Sequence, residues 1–287
     1  FSGDMRFQMV YRNQWQSVTS PYKTVSFNGE FKKPIGNGDD FLTIGAQVLY
    51  DKAGTISMTA THILPVLNYH KSLSAEQNMY LSLGFMGGYV QRKIDQSKIT
   101  TNNQFDGIMY NGSLLNGESF TNTTYSYFDA SVGLSFNAQL GENPDNNIFA
   151  GVSYQHLNKA SKISFYSNPE YELSPKWVYS AGIRMNATER SYFTFEADYN
   201  KQKIHSEIVA GFIYSYKLDD IEDPSLLIHG GLMMRVKDAI IPVIKLEKKP
   251  LSIALSYDVN TSQLSPASQS RGGFELSISY KKKKKND

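Results

Sequence analysis

The chain has no cysteine, so disulfides, thiolate metal sites and cysteine nucleophiles are excluded. None of its 287 residues belongs to a run approaching the roughly 18 apolar residues of a membrane helix. The densest run, Ala239–Ile244, is interrupted by Pro242, and a helical membrane protein is excluded. Tryptophan occurs only twice, and neither sign of charge dominates: 29 basic side chains stand against 27 acidic ones. Five of the basic ones are Lys281, Lys282, Lys283, Lys284 and Lys285, without which the body is slightly acidic. That balance gives no ground for a nucleic-acid partner. The chain opens at Phe1 without a Met or an apolar leader, from which we expect that any export signal has been removed or left out.

Chemistry-bearing motifs are also missing. No GxSxG, Walker-type loop or GxGxxG unit appears, and Gly84–Gly88 lies inside a strand pattern. His62, His70, His156, His205 and His229 stand at no metal-site spacing and read as structural or interfacial. We therefore assign no catalytic residue, metal or cofactor. An outer-membrane enzyme with a serine nucleophile is the least supported alternative, since nothing marks that nucleophile.

What is present is alternation. From Phe128 to Leu140 every second residue is apolar, and the residues between are Asp129, Ser131, Gly133, Ser135, Asn137 and Gln139. A strand sends successive side chains to opposite faces, so this segment has one apolar and one small, polar face. It belongs to a stretch, Tyr125–Leu140, about twice as long as an ordinary globular strand. Tyr and Phe are abundant, at 19 and 16, and aromatics recur near the ends of such segments (Tyr50, Tyr69, Tyr89, Tyr125, Trp177, Tyr199, Tyr216, Tyr257, Tyr280).

Applied along the chain, the same reading gives about fourteen strands, from Met5–Arg12 to Gly273–Tyr280. It predicts Thr55–Tyr69 and Asn147–Asn158 among them, and Ile240–Glu247 as a strand weakened by Pro242. The longest polar connections, Ile94–Thr123, Lys159–Pro175 and Asn260–Arg271, fall at the fifth, seventh and thirteenth positions, all on one side. The expected fold is an all-β, antiparallel up-and-down transmembrane barrel over residues 1–280, followed by a basic tail, 281–287. Long loops are then extracellular, turns short and periplasmic, and both termini periplasmic. Outer-membrane lipid is the partner of the apolar face.

The polar row predicts lumen positions for Arg6, Arg12, Glu30, Asp129, Arg184, Glu196, Asp198, Glu207, Asp258 and Glu275. Mixed signs read as salt-bridged lumen packing rather than an ion-selective ring. The run Lys281–Lys285 follows the last expected strand and reads either as a contact for a periplasmic partner or headgroup or as a solvated tail.

Several segments resemble one family. Tyr11-Arg12-Asn13-Gln14-Trp15, then Pro21-Tyr22-Lys23-Thr24, resembles the start of PorP/SprF outer-membrane proteins of Bacteroidetes. The resemblance continues through Leu81–Phe85, Phe128–Leu134, Ile148–Leu157 and Trp177–Gly182, in the same order. The family's Asn-Pro-Ala segment before the first strand is missing, which we read as truncation at Phe1. The resemblance implies a non-enzymatic component of the type IX secretion system linked to gliding motility. Its implied partners are a secreted adhesin, through a C-terminal sorting domain, and periplasmic motor or peptidoglycan-binding proteins. A porin or hydrophobic-ligand channel is the alternative.

Overall fold

The computed structural model describes residues 3–15, 20–161, 163–166, 171–263 and 271–282. Fourteen strands follow one another: β1 (Met5–Gln14), β2 (Tyr22–Pro34), β3 (Phe41–Ala53), β4 (Met58–Ser74), β5 (Met79–Lys93), β6 (Thr124–Gln139) and β7 (Asn147–Gln155). Then come β8 (Lys176–Thr188), β9 (Ser191–Gln202), β10 (His205–Lys217), β11 (Leu226–Arg235), β12 (Ala239–Lys248), β13 (Leu251–Asn260) and β14 (Arg271–Lys282). Each strand pairs antiparallel with its chain neighbours, and β14 closes onto β1 from Met5↔Lys282 to Gln14↔Gly273. The result is a closed up-and-down barrel, which leaves no edge strand.

Burial is inverted relative to a water-soluble domain. Every strand exposes large apolar side chains on its outer row, among them Phe27, Phe85, Phe128, Phe212 and Ile244. Buried positions include polar ones: Asp129, Ser215, His229 and Asp258. A continuous apolar outer surface needs an apolar solvent, which lipid supplies. The strand lengths agree. β6 has 16 residues, which at ~3.3 Å each and a ~40° tilt rise about 40 Å, more than the ~25 Å apolar band. Both ends of such a strand therefore stand in headgroups or water.

The three longest connections (94–123, 156–175 and 261–270) lie at one end of the barrel, and both termini at the other. At the termini end the turns are short, down to residues 189–190 and 249–250. Some boundaries differ from the sequence reading. β4 starts at Met58 because residues 54–57 form a tight turn, with Gly54 at φ +63° and Ser57 at φ +49°, and it runs on to Ser74. β7 stops at Gln155, since His156 takes φ +60° and leaves the ladder. β12 forms in full around Pro242, and pairing with β13 lapses between Ile240↔Val259 and Val243↔Ser256, where a proline has no N–H to give. Tyr125 does not join an outer aromatic girdle. It lies on the same row as Asp129 and packs its ring 4.7 Å from Phe165 of the 156–175 loop.

Candidate functional site in the lumen and outer loops

Neighbouring strands bring their polar rows into register, and most of the polar residues singled out in the sequence meet a charged or polar partner. Arg6 and Glu30, opposite each other on β1 and β2, bond at 2.9 Å. Arg12 reaches Asp258 at 2.9 Å, across β14, and lies 4.0 Å from Glu275. Asp129 holds His156 Nδ1 at 2.9 Å, which fixes the strained residue that ends β7. Glu207 accepts from Asn200 at 3.3 Å and lies 3.4 Å from Arg235. Arg184 stacks its guanidinium 4.7 Å from the Tyr192 ring centroid. Asp198 sits two residues beyond Glu196 on the same row of β9.

Several partners were not singled out by sequence reasoning. Arg235 bonds Asp238 at 2.8 Å and Asp258 at 3.1 Å, making Asp258 a bridge between two arginines. Lys245 and Glu247 pair at 2.7 Å along β12. Ser215 and His229 Nδ1 lie 2.7 Å apart on β10 and β11. Lys217 donates to Asp145 at 2.6 Å and to the Ile221 carbonyl at 2.9 Å, tying two turns together at the termini end. Counting every second residue on β11 would have found His229 and Arg235 on one row; their partners are fixed only by register.

Near the termini end a cavity of about 540 Å³ is lined from β1 and from β8 to β14. In a closed ring of fourteen strands β1 and β8 lie opposite each other, so this space crosses the lumen. Arg6, Arg184, Lys245 and Lys281 contribute charge to its wall, against Glu196 and Glu247. Lys281 is thus part of β14 and faces this cavity, and Lys282 ends the strand. The sequence reading had placed both in a tail beyond the last strand; Lys283, Lys284 and Lys285 lie outside the described residues. A second, smaller space of about 250 Å³ is lined from β4 to β8 by Gly, Ser, Asn and apolar residues, without a charge.

At the other end the 94–123 loop is folded. The Gln104 side chain is buried and donates to the Leu114 carbonyl at 3.1 Å, while Asn111 N–H donates to the Gln104 carbonyl at 2.7 Å. Asp106 accepts from the backbone of Ile108 and Met109, both at 2.9 Å, and these bonds hold its carboxyl below the usual range. The loop leans on its neighbours through Phe120 on Tyr166 (5.0 Å) and through Thr121 N–H on the Phe165 carbonyl (3.0 Å). Yet Ile108 is 85% and Leu115 89% exposed, with Met109 and Tyr110 also exposed. Polar bonds order this loop while its apolar side chains face outward.

Among the described residues, no group of three or more His, Asp or Glu stands together as a metal site would. The fold is similar to solved outer-membrane barrels. The toluene transporter TbuX of Ralstonia pickettii matches with TM-score 0.57 at 10% identity, over 99% of this chain and 90% of its own. The toluene transporter TodX of P. putida matches with TM-score 0.53 at 9% identity, over the same shares. Comparison with curated proteins found no match. The sequence itself matches the family described as type IX secretion system membrane protein PorP/SprF over residues 1–280. The protein is therefore an outer-membrane β-barrel that belongs to the PorP/SprF family of the type IX secretion system.

Proposed function

We propose that this barrel acts without catalysis, as a scaffold that supports the secretion or surface anchoring of an exported partner. In this reading both termini face the periplasm and the 94–123 loop faces outward. The partner is a large adhesin engaged through its C-terminal sorting domain, in a Bacteroidetes cell that glides. Periplasmic motor or peptidoglycan-binding proteins meet the termini end, where Lys282 and the lysines after it supply positive charge.

The observation that carries the reading is the 94–123 loop. Ordering a loop costs conformational entropy, and leaving Ile108, Met109 and Leu115 in water gains nothing in the isolated barrel. Both costs are offset once a partner covers the tip, as interaction hot spots require. Replacing residues 100–118 by a short Gly-Ser link keeps all fourteen strands. Its expected outcome is a barrel that inserts normally while adhesin disappears from the cell surface. Adhesin display at the wild-type level would remove the loop's role, and the partner reading with it.

A second reading, a channel for a small solute, is favoured by the fold shared with the two toluene transporters and by the open spaces in the lumen. Planar bilayers separate the two: large, steady conductance of the purified barrel favours the channel, and its absence the scaffold.

A further inference from the structure

The wall of the 540 Å³ cavity is not electrically balanced. Two of its cations are already neutralised, Arg6 by Glu30 at 2.9 Å and Lys245 by Glu247 at 2.7 Å. Arg184 and Lys281 make no ion pair among the described residues, although both line the cavity. The Arg184 guanidinium carbon lies over the Tyr192 ring, 4.7 Å from its centroid, and Arg184 Nε is buried without a hydrogen-bond partner. Two cations thus face the same space from β8 and β14, with Glu196 the one acid on the wall that has no ion pair among the described residues.

A second observation points the same way. His229 is 7% exposed, and its Nδ1 is engaged by the Ser215 hydroxyl at 2.7 Å. Its Nε2 is buried with no hydrogen-bond partner, because the Glu247 carboxylate is 3.7 Å away, too far for one. When the Ser215 hydroxyl donates to Nδ1, the ring carries its proton on Nε2 as a free donor at the cavity wall. Leaving a buried polar atom unmade is costly, and a bound acceptor satisfies it. The remaining wall is rich in hydroxyls, including Ser252, Ser277 and Ser279.

We propose that this cavity binds a small hydroxylated anion, a sugar phosphate or sugar acid, entering from the termini end. Arg184 and Lys281 take its charged group, His229 Nε2 donates to it, and the serine hydroxyls and Gln8 meet its hydroxyl groups. Charge-assisted bonds to two fixed cations are the strong part of such a site. The volume suits a single sugar-sized ligand and is small for a polypeptide segment.

The test is a titration of the purified full-length barrel in non-ionic detergent. The probes are glucose 6-phosphate, glucuronate and, as the uncharged control, glucose. Saturable binding of either anion with none of glucose is the expected result, and the anion that binds more tightly names the charged group. Arg184→Gln and Lys281→Gln should each weaken it about tenfold. Glu196→Gln should tighten it severalfold, a direction that a purely structural role of the wall does not produce. A shift in electrophoretic mobility on heating verifies that each variant is folded. Should Arg184→Gln fail to fold, Lys281→Gln and Glu196→Gln carry the test. Absence of anion binding, equal binding of glucose, or binding unchanged in the folded variants would overturn the site.

Discussion

The two sides of the lumen wall are built on one period-two pattern and do different physical work. From β8 round to β1 the inner row carries Arg184, Glu196, His229, Lys245, Glu247, Lys281 and Arg6. From β4 to β8 the corresponding row lines the smaller space with Asn68, Ser82, Gly84, Gly133, Ser135, Gly151 and Ser180, and carries charge, Arg92 and Asp129, only nearer the loop end. Long charged side chains fill the charged side, some in ion pairs, as Arg6 with Glu30 and Lys245 with Glu247, and others, Arg184 and Lys281, without one among the described residues. Small side chains do the opposite and let backbone and side chains approach closely. At these two spaces a solute meets a charged wall on one side and an uncharged one on the other. The sharpest way to break that comparison is to give each side the other's side chains.

The largest effect is expected where neighbouring backbone approaches a glycine of the β4–β8 side. A Cβ on Gly88, on β5, would lie 2.1 Å from the carbonyl oxygen of Ile63, backbone that cannot swing aside. Gly88→Val should therefore cost at least about 3 kcal/mol or prevent closure altogether. At Gly230, on β11, a Cβ meets nothing within 4 Å, so Gly230→Ala should be neutral. Urea unfolding in detergent, read by tryptophan fluorescence, compares them. Equal midpoints would mean that close approach is not what the small residues provide.

On the charged side the corresponding position is Asp258, which receives Arg12 at 2.9 Å and Arg235 at 3.1 Å while 7% exposed. Asp258→Asn leaves two arginines with less compensation. Removing one member of a buried pair costs ~3–5 kcal/mol, and the partial exposure of Arg12 reduces this to about 2 kcal/mol. The substitution Arg12→Gln together with Asp258→Asn should recover part of the loss. A double variant that unfolds at the sum of the single losses would show that the pair is not coupled.

Fold and site differ in how far they could be read from the sequence. The outer row must be apolar at every second residue wherever it meets lipid, so strands and loop lengths stand in the sequence itself. Strand pairing was legible only as chain order. Which polar residues touch depends on register and on side chains reaching past a neighbour. Arg12 finds Asp258 across β14, and Arg235 finds the same Asp258 across β12, contacts between residues 246 and 23 positions apart. Lys281 was misplaced for a local reason. A lysine run resembles a tail, yet in alternation only every second lysine needs to face water, and β14 continues through two of them. The histidines carried no spacing signal, and where they find partners the fold brings these from other strands or a neighbouring loop: His70 meets Thr43 and Ser82, His156 meets Asp129, and His229 meets Ser215.

The smallest effect is expected outside both lumen walls, where Asp40 closes the 35–40 turn at the termini end. Its carboxylate accepts from the Tyr69 hydroxyl at 2.6 Å, from Lys71 at 2.9 Å and from the Ser72 backbone N–H at 2.9 Å. Those bonds, the tyrosine's first, hold its pKa down at about 2, from an ordinary 3.8. A depressed carboxylate stabilises the fold fully above its unfolded value and loses that contribution as the pH falls through the folded one. The window is therefore roughly pH 4 to pH 2, and nothing should change between pH 5 and pH 8. Asp40→Asn should flatten the acid limb of a thermal-melt series across that window by lowering the neutral melting temperature slightly, toward the acid value, the effect kept small by the site's exposure. The turn lies on neither lumen wall, so anion binding should be unchanged in the same variant. A neutral-pH loss as large as that of Asp258→Asn would instead make this exposed turn a structural equal of the charged wall, and the asymmetry of the barrel would no longer be confined to its lumen.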